Sequence, residues 1–430
     1  MFHKLRARIR PLIPIAVIAA VATAVAPAQA ASAAAPEGVK AAAVASETIQ
    51  QPLTPHPTPG SDKPAEKPDG STLRLSDSPT CTDPTPQGRS MCVQQTPAPD
   101  MSRLRKSPSL AQDGVAPPQW CEQSNNTVIG TRTQVCRVSG LTYWTRWTQN
   151  GQTTLTGEAY MILINYSYGD TGLGTIAHQI ETSVYDGWGD ALNAKVDGQA
   201  TMSGACTRES SSFPARPLLP LNSWTLGESF FDTTATAPGA KGNCQTFWYL
   251  TFTNNDTAKY PNPAFDEESF NEFRCDNATA GRATVGCVVP WYASNLVYSK
   301  TSYPSLASHV ERAQASGLPG ATFAQPLHRT EDETVAGTNR ELACGDAPSI
   351  SGLSCDEYPI ARSKEGLFAG GTRRTFDGCQ MPNVSSGTGP TGVSVCMITA
   401  TENNAQGGLN TQFFRAERVL QDDPFRVTVS

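Results

Sequence analysis

Leu141-Thr142-Tyr143-Trp144-Thr145-Arg146-Trp147 packs three aromatic and two β-branched residues into seven, the composition of a strand that fits a pleated, half-buried surface. Gly157 to Tyr168 and Gln245 to Phe252 have the same texture, and Gly, Asn and Asp punctuate the chain between such runs. Short strands separated by turn signals from Trp120 to about Trp291 predict an all-β, sandwich-like domain over 119–293. Its aromatic side chains either fill a core or line a groove for a glycan, and core packing is the commoner use.

Upstream, Lys4, Arg6, Arg8 and Arg10 precede an apolar run from Leu12 to Val25 and then Ala28-Gln29-Ala30. That is the order of a secretory signal peptide with a small-x-small cleavage site, predicted over 1–30. The apolar run is too short to serve as a permanent anchor, so the expected product is a secreted, extracellular protein with no membrane attachment after cleavage. From Ala31 to about Pro118 the chain is Ala, Pro, Ser, Thr and Lys with little to bury. Ordering it would cost entropy that nothing returns, which predicts a Pro/Ala-rich disordered spacer over 31–118, looped locally by Cys81 and Cys92.

The twelve cysteines form no CxxC pair. An even count behind an export signal reads as a disulfide framework rather than a zinc or redox site. Pairing of neighbours (81 with 92, 121 with 136, 206 with 244, 275 with 287, 344 with 355, 379 with 396) is the simplest arrangement, although spacing does not determine connectivity. The formal charge of −6 includes four positive and no negative residues in the first thirty, leaving −10 for the remainder. Such a chain does not hold nucleic acid by bulk electrostatics.

Beyond about Ser302 the texture changes again. Leu306 to Ala313 reads as a short helix stopped by Gly317-Leu318-Pro319. Val393-Ser394-Val395-Cys396-Met397-Ile398 reads as a buried strand, Asn410 to Leu420 as an amphipathic helix, and Phe425 to Val429 as a closing strand. Together they predict an α+β domain over 294–430. Two polar clusters stand out in it. Cys355-Asp356-Glu357-Tyr358-Pro359 sets two carboxylates side by side and is followed by Glu365-Gly366; Glu402-Asn403-Asn404-Ala405-Gln406-Gly407-Gly408 falls between the strand and the second helix. Carboxylate and amide oxygens are the ligands that Mg²⁺, Mn²⁺ or Ca²⁺ prefer, although acidic pairs and Asn-Gly turns are also common as solvated loops.

Tyr303-Pro304 with Ala307-Ser308-His309-Val310-Glu311-Arg312-Ala313, then Leu327-His328-Arg329-Thr330, Asn339-Arg340-Glu341, Asp356-Glu357-Tyr358-Pro359-Ile360-Ala361 with Glu365-Gly366, and finally Glu402-Asn403, form an ordered series. The series resembles the secreted bacterial deoxyribonucleases of the NucA/NucB type and covers less than a third of the chain. The resemblance implies a ββα-metal-type nuclease domain and a secreted, Mg²⁺- or Mn²⁺-dependent endonuclease that hydrolyses phosphodiester bonds of extracellular DNA. It implies catalytic roles for Asp356, as base or water-positioning carboxylate, for Glu357, His309 and Glu365, and metal-holding roles for Asp356, Glu402 and Asn403. Arg373, Arg374, Arg415 and Arg418 are candidates for DNA phosphate contacts. The family's Trp is Tyr358 here, an aspartate is His328, and Glu402 stands for an aspartate. From Thr301 onward ten basic and fourteen acidic residues leave −4, so DNA must be held by local arginines and the metal. Two other readings stand beside this one: a β-rich adhesion protein with a glycan or cell-wall ligand and an inactive nuclease-like domain, and a toxin with a dedicated immunity protein.

Overall fold

In the computed structural model, which describes residues 63–68, 78–101, 114–256, 258–261, 263–269 and 273–430, the stretch from Leu141 to Trp147 lies inside the 16-residue strand Gln134–Gln149. That strand belongs to a nine-stranded sheet in which it pairs with Gln152–Asp170, itself paired with Leu173–Gly189; Trp224–Thr233 and Cys206–Ser212 complete one side. A six-stranded sheet is built around Ala194–Gly204 and Lys241–Asn254. The two sheets share one core. Met91, Leu141, Tyr143, Met161 and Ile180 of the first meet Val196, Trp248, Leu250 and Phe252 of the second, and Tyr143 stacks on Phe252 at 4.8 Å.

The burial pattern follows from the layers. Lys241–Asn254 and Trp224–Thr233 alternate buried and less buried residues, as strands with one face on the core must. Gln152–Asp170 is buried without a break over its last ten residues, because the far face of its sheet is also covered, by Met101, Val115, Trp120 and Cys121. The aromatic side chains are mostly core, as their composition predicts: Tyr143, Tyr166, Tyr168, Trp248 and Tyr260 are buried.

One expectation changes. Residues assigned to the spacer form the strand Arg89–Thr96, which pairs along its whole length with Gly140 to Trp147, and Met91, Cys92 and Val93 are buried. A single eight-residue strand vanishes in the average composition of a long Pro-rich stretch, and its burial is supplied by a partner strand. The signal peptide expected over 1–30 and much of the remaining spacer lie outside the described residues. No helix among the described residues is long and apolar enough to cross a membrane.

All six disulfides join neighbours: 81–92, 121–136, 206–244, 275–287, 344–355 and 379–396. Cys206–Cys244 staples one sheet of the sandwich to the other.

His178 sits inside the sandwich, fully buried, with Nε2 3.1 Å from Asn165 Oδ1. Burial and then the Arg137 cation push its imidazole down to about 3. The unfolded chain takes up a proton near pH 6.5 that the folded protein refuses, so this site removes stability as pH falls from 6.5 towards 3. Between pH 7 and 4.5 the wild type is expected to lose roughly 2–3 kcal/mol more than His178→Gln, read from urea unfolding at the two pH values; equal losses would show that the imidazole is not held neutral.

The C-terminal part begins with Ser294–Tyr298, which runs parallel to the last strand, Pro424–Val429; Leu327–His328 adds to that strand on its other side. A second small sheet has Gly392–Thr399 in the centre, antiparallel to Leu353–Tyr358 and parallel to Thr372–Arg374. Three helices, α1 (Pro304–Ala315), α2 (Glu333–Cys344) and α3 (Ala400–Ala416), accompany these sheets. Gly392–Thr399 is buried on both faces, with Ile398 and Cys396 in the core shared with α1 and α3, and Val393, Val395 and Met397 in a smaller cluster with Ala343 of α2.

Candidate active site

The strand Leu353–Tyr358 divides its two carboxylates between opposite faces. Asp356 points towards α1, where His309 Nδ1 lies 2.6 Å from Asp356 Oδ2 and His309 Nε2 lies 2.9 Å from Ser394 Oγ. All three side chains are buried, and the other oxygen, Asp356 Oδ1, is buried with no partner. His309 therefore holds a buried carboxyl in place instead of meeting solvent. Ser394 was not distinguishable in the sequence, where it is one small residue inside an apolar strand. Tyr358, in place of the family's Trp, keeps a polar tip by donating to Pro319 O (2.8 Å) and accepting from Gln314 Nε2 (2.8 Å).

Glu357 faces α2, to which its strand is tied by the Cys344–Cys355 disulfide. Its Oε2 lies 3.8 Å from Cys344 Sγ. Burial, and next the negative charge of Asp356, push this carboxyl up to about 8, against the opposing pull of Arg340 and the Ala361 backbone N–H. Two adjacent acids thus have unlike surroundings, which is how a protein separates the tasks of two carboxyls.

The second polar cluster is helical. α3 starts at Ala400, so Glu402 to Gly408 occupy its first turns instead of a linker before it. Gly407 and Gly408 weaken the local helical signal, and tertiary packing overrides them. Glu402 Oε2 accepts the backbone N–H groups of Ser305 (2.8 Å) and Leu306 (2.9 Å), capping α1 from outside. Burial opposes ionisation there, but these N–H donors and the hydroxyls of Thr399 and Ser305 prevail and hold the carboxyl below its ordinary value. Glu402→Gln is expected to lower stability by about 1 kcal/mol in thermal unfolding; an unchanged melting temperature would show that the cap carries no load. Asn403 Nδ2 donates to Ser354 Oγ (2.8 Å) and Cys355 O (2.9 Å), leaving Oδ1 without a hydrogen bond among the described residues. Among those residues no three of His, Cys, Asp and Glu converge on one metal position. Glu365 spends both oxygens on His328, one on the ring (2.7 Å) and one on the backbone N–H (2.9 Å).

The four arginines singled out in the sequence go to different places. Arg374 is buried and gathers carbonyl oxygens, Gly389 O at 2.7 Å and Thr391 O at 2.5 Å. Arg418 is buried and reaches into the β-rich part, to Thr171 O (2.6 Å), Asp276 Oδ1 (2.8 Å) and Thr284 O. Neither is presented to a phosphate. Arg373 pairs with Asp346. Arg415 is exposed and lines a cleft of about 470 Å³ between α2, α3 and Thr279-Ala280 of the β-rich part.

That cleft holds three further arginines, Arg329, Arg340 and Arg362, against Glu331 and Glu333. Arg362 takes both oxygens of Glu333 (2.6 and 2.9 Å), and Arg329 pairs with Glu331 at 3.2 Å with its guanidinium over the Phe414 ring. Arg340 is exposed and has no hydrogen-bond partner among the described residues, and its charge is felt by Glu357. Four cations against two anions make the cleft positive inside an acidic chain. Sequence reading met Arg329 and Arg340 only as members of motifs, because the four guanidiniums come from segments scattered between 329 and 415. No protein-family model, curated protein or solved structure matches the chain.

Proposed function

We propose that the C-terminal part is a metal-dependent endonuclease acting on DNA outside the cell. The observation that carries this reading is the position of Arg340, which lines the arginine cleft and also acts on Glu357, so that a phosphate-binding surface adjoins a carboxyl with a shifted pKa. The NucA/NucB resemblance supports it, as does the succession of two antiparallel strands, Leu353–Tyr358 and Gly392–Thr399, followed directly by α3.

The residues fit a hard divalent cation. Glu357 is pushed towards the neutral form for want of compensating charge, while Asp356 Oδ1, buried with no partner, and the free amide oxygen of Asn403 belong to the opposite face of the strand, the one that carries Ser354. Glu357 would hold Mg²⁺ or Mn²⁺ on the α2 face of the strand. When bound, the cation supplies charge that polarises a phosphoryl oxygen. Arg340, Arg329, Arg362 and Arg415 hold the phosphates on either side of the scissile bond. Asp356, oriented by His309, whose Nε2 in turn meets Ser394 Oγ, keeps Oδ1 unpaired and would receive the proton of a water admitted to that face. Glu402 supports this site by fixing α1, and through it His309.

The test is incubation of the purified, oxidised mature protein with supercoiled plasmid in Mg²⁺, in Mn²⁺ and in EDTA. Nicking in metal that EDTA abolishes is expected; folded protein that cuts in neither metal would sink the reading. One surface favours a binding role for the β-rich part: Trp188 is 46% exposed and donates to Glu158 Oε2, which Tyr160 also reaches, with Tyr185 alongside. Such an exposed aromatic group suits a glycan, and a pull-down on cell-wall polysaccharide with Trp188→Ala as control tests it.

A further inference from the structure

A second cavity, of about 750 Å³, shares with the arginine cleft the segment that carries His328 and Arg329: Arg329 lines the cleft and His328 lines the cavity. Its walls are Trp291, Phe323 and Pro326, and its polar groups are Glu66, Lys67 and His328. A concave, mainly apolar space with a few converging polar groups is the form of a ligand site.

The walls are held in place. The Phe323 ring carries the Arg426 guanidinium over one face, 3.7 Å from its centroid, with Tyr292 tilted against it at 5.3 Å. The Trp291 ring sits against Gly130, where an added Cβ would stand 3.0 Å from it. His328 is also oriented. Glu365 engages its Nδ1 at 2.7 Å and its backbone N–H at 2.9 Å, while Nε2 takes no partner among the described residues and the side chain is 42% exposed. A carboxylate on Nδ1 fixes the orientation of the ring and leaves Nε2 available for a polar contact.

A ligand that suits this cavity has a flat π-face and a polar edge, and one that carries a phosphate chain could also meet Arg329, the residue after His328, in the arginine cleft. We infer that the cavity receives an unpaired nucleobase of the strand whose phosphates lie in the arginine cleft, so that the protein prefers single-stranded or locally opened DNA over intact duplex. The inference rests on the nuclease reading and adds its substrate class. Aromatic stacking serves any base, since every base has a π-face, and the His328 edge adds a polar contact.

The full mature protein is titrated, in EDTA at low salt, with a short single strand carrying one 2-aminopurine and with the matching duplex. The single strand is expected to bind about tenfold more tightly, the order that one stacked base supplies, and the 2-aminopurine emission to change as the base enters the aromatic slot. Phe323→Ala removes both the preference and the emission change. Because Phe323 also touches Arg426, His328→Gln serves as a second variant: it lowers the preference and keeps the emission change. Equal affinity for the two DNAs in the wild type overturns the inference, as does a preference that both variants leave intact; in either case metal-dependent plasmid nicking leaves the nuclease reading standing. A protein that neither binds nor cuts DNA loses both. A chitooligosaccharide that competes with the single strand only in the wild type, without an emission change from the base, reassigns the cavity to sugars.

Discussion

Asp423→Ala is expected to lower the free energy of unfolding by about 3–5 kcal/mol and to weaken the β-rich and C-terminal parts together. Asp423 lies in the turn after α3 and divides its oxygens between two arginines of the other part, Oδ2 to Arg132 (2.7 Å) and Oδ1 to Arg274 (2.5 Å). Arg132 is fully buried, and burial lowers its pKa against the support of Asp423. The same guanidinium reaches Glu417 O and Arg418 O, and Arg274 also reaches Arg418 O. In the opposite direction Arg418 is met by Asp276. Three arginines and two aspartates therefore close a buried network across the junction. Removing Asp423 leaves the buried Arg132 guanidinium with only carbonyl oxygens and Arg274 with the more distant Asp276 at 3.6 Å, the case in which a lost partner costs most. Urea unfolding followed by tryptophan fluorescence and by far-ultraviolet circular dichroism checks the result. A loss under about 1 kcal/mol would mean that the network is wet and the junction is held by something else. A single transition in the wild type, seen alike by both probes, is the accompanying expectation. Such a junction makes the β-rich part a fixed wall of the molecule, one that contributes Thr279 and Ala280 to the arginine cleft.

Legibility in the sequence followed the physical range of each signal. Strands such as Gln134–Gln149 and Gly392–Thr399 were readable because their own composition carries the preference, and the disulfides because each joins cysteines that are neighbours in the chain. Helix α1 was readable from its own pattern and its Gly-Pro stop. The start of α3 was not, since two glycines and three Asn or Gln residues imitate a turn until packing decides. Arg374 and Arg418 read as candidates for phosphate contacts; only the folded chain shows that carbonyl oxygens gather around them. Asp356 and Glu357 were found together by motif, but their division between faces belongs to the strand's alternation, and Ser394, which anchors the His309 partner of Asp356, lies on another strand. The strand Arg89–Thr96 was hidden for a related reason, its burial being supplied by Gln134–Gln149.

Glu357→Gln is expected to reduce metal-dependent nicking on the order of 10²–10³-fold, and also to make the metal-free protein more stable at high pH. The two effects have one cause. In the absence of a cation the Glu357 carboxyl is held protonated up to about 8 by burial and by Asp356, while in the unfolded chain it ionises near 4.5. Between those values the folded state binds the extra proton, so stability falls as pH rises from about 4.5 to 8, by something on the order of a few kcal/mol. Glutamine has no proton to lose and escapes that decline. In EDTA the variant should match the wild type near pH 5 and exceed it at pH 8, and Mg²⁺ or Mn²⁺ should narrow the gap by stabilising only the wild type. Asp356→Asn is the less informative change, because it also strips the buried His309 of its partner and mixes loss of fold with loss of chemistry. A carboxyl kept for packing alone would lower both stability and activity when replaced; a carboxyl kept for a cation lowers activity while relieving the metal-free fold. Full nicking by Glu357→Gln would remove Glu357 from the mechanism, and a variant less stable than the wild type at pH 8 in EDTA would show that its surroundings do not crowd the charge.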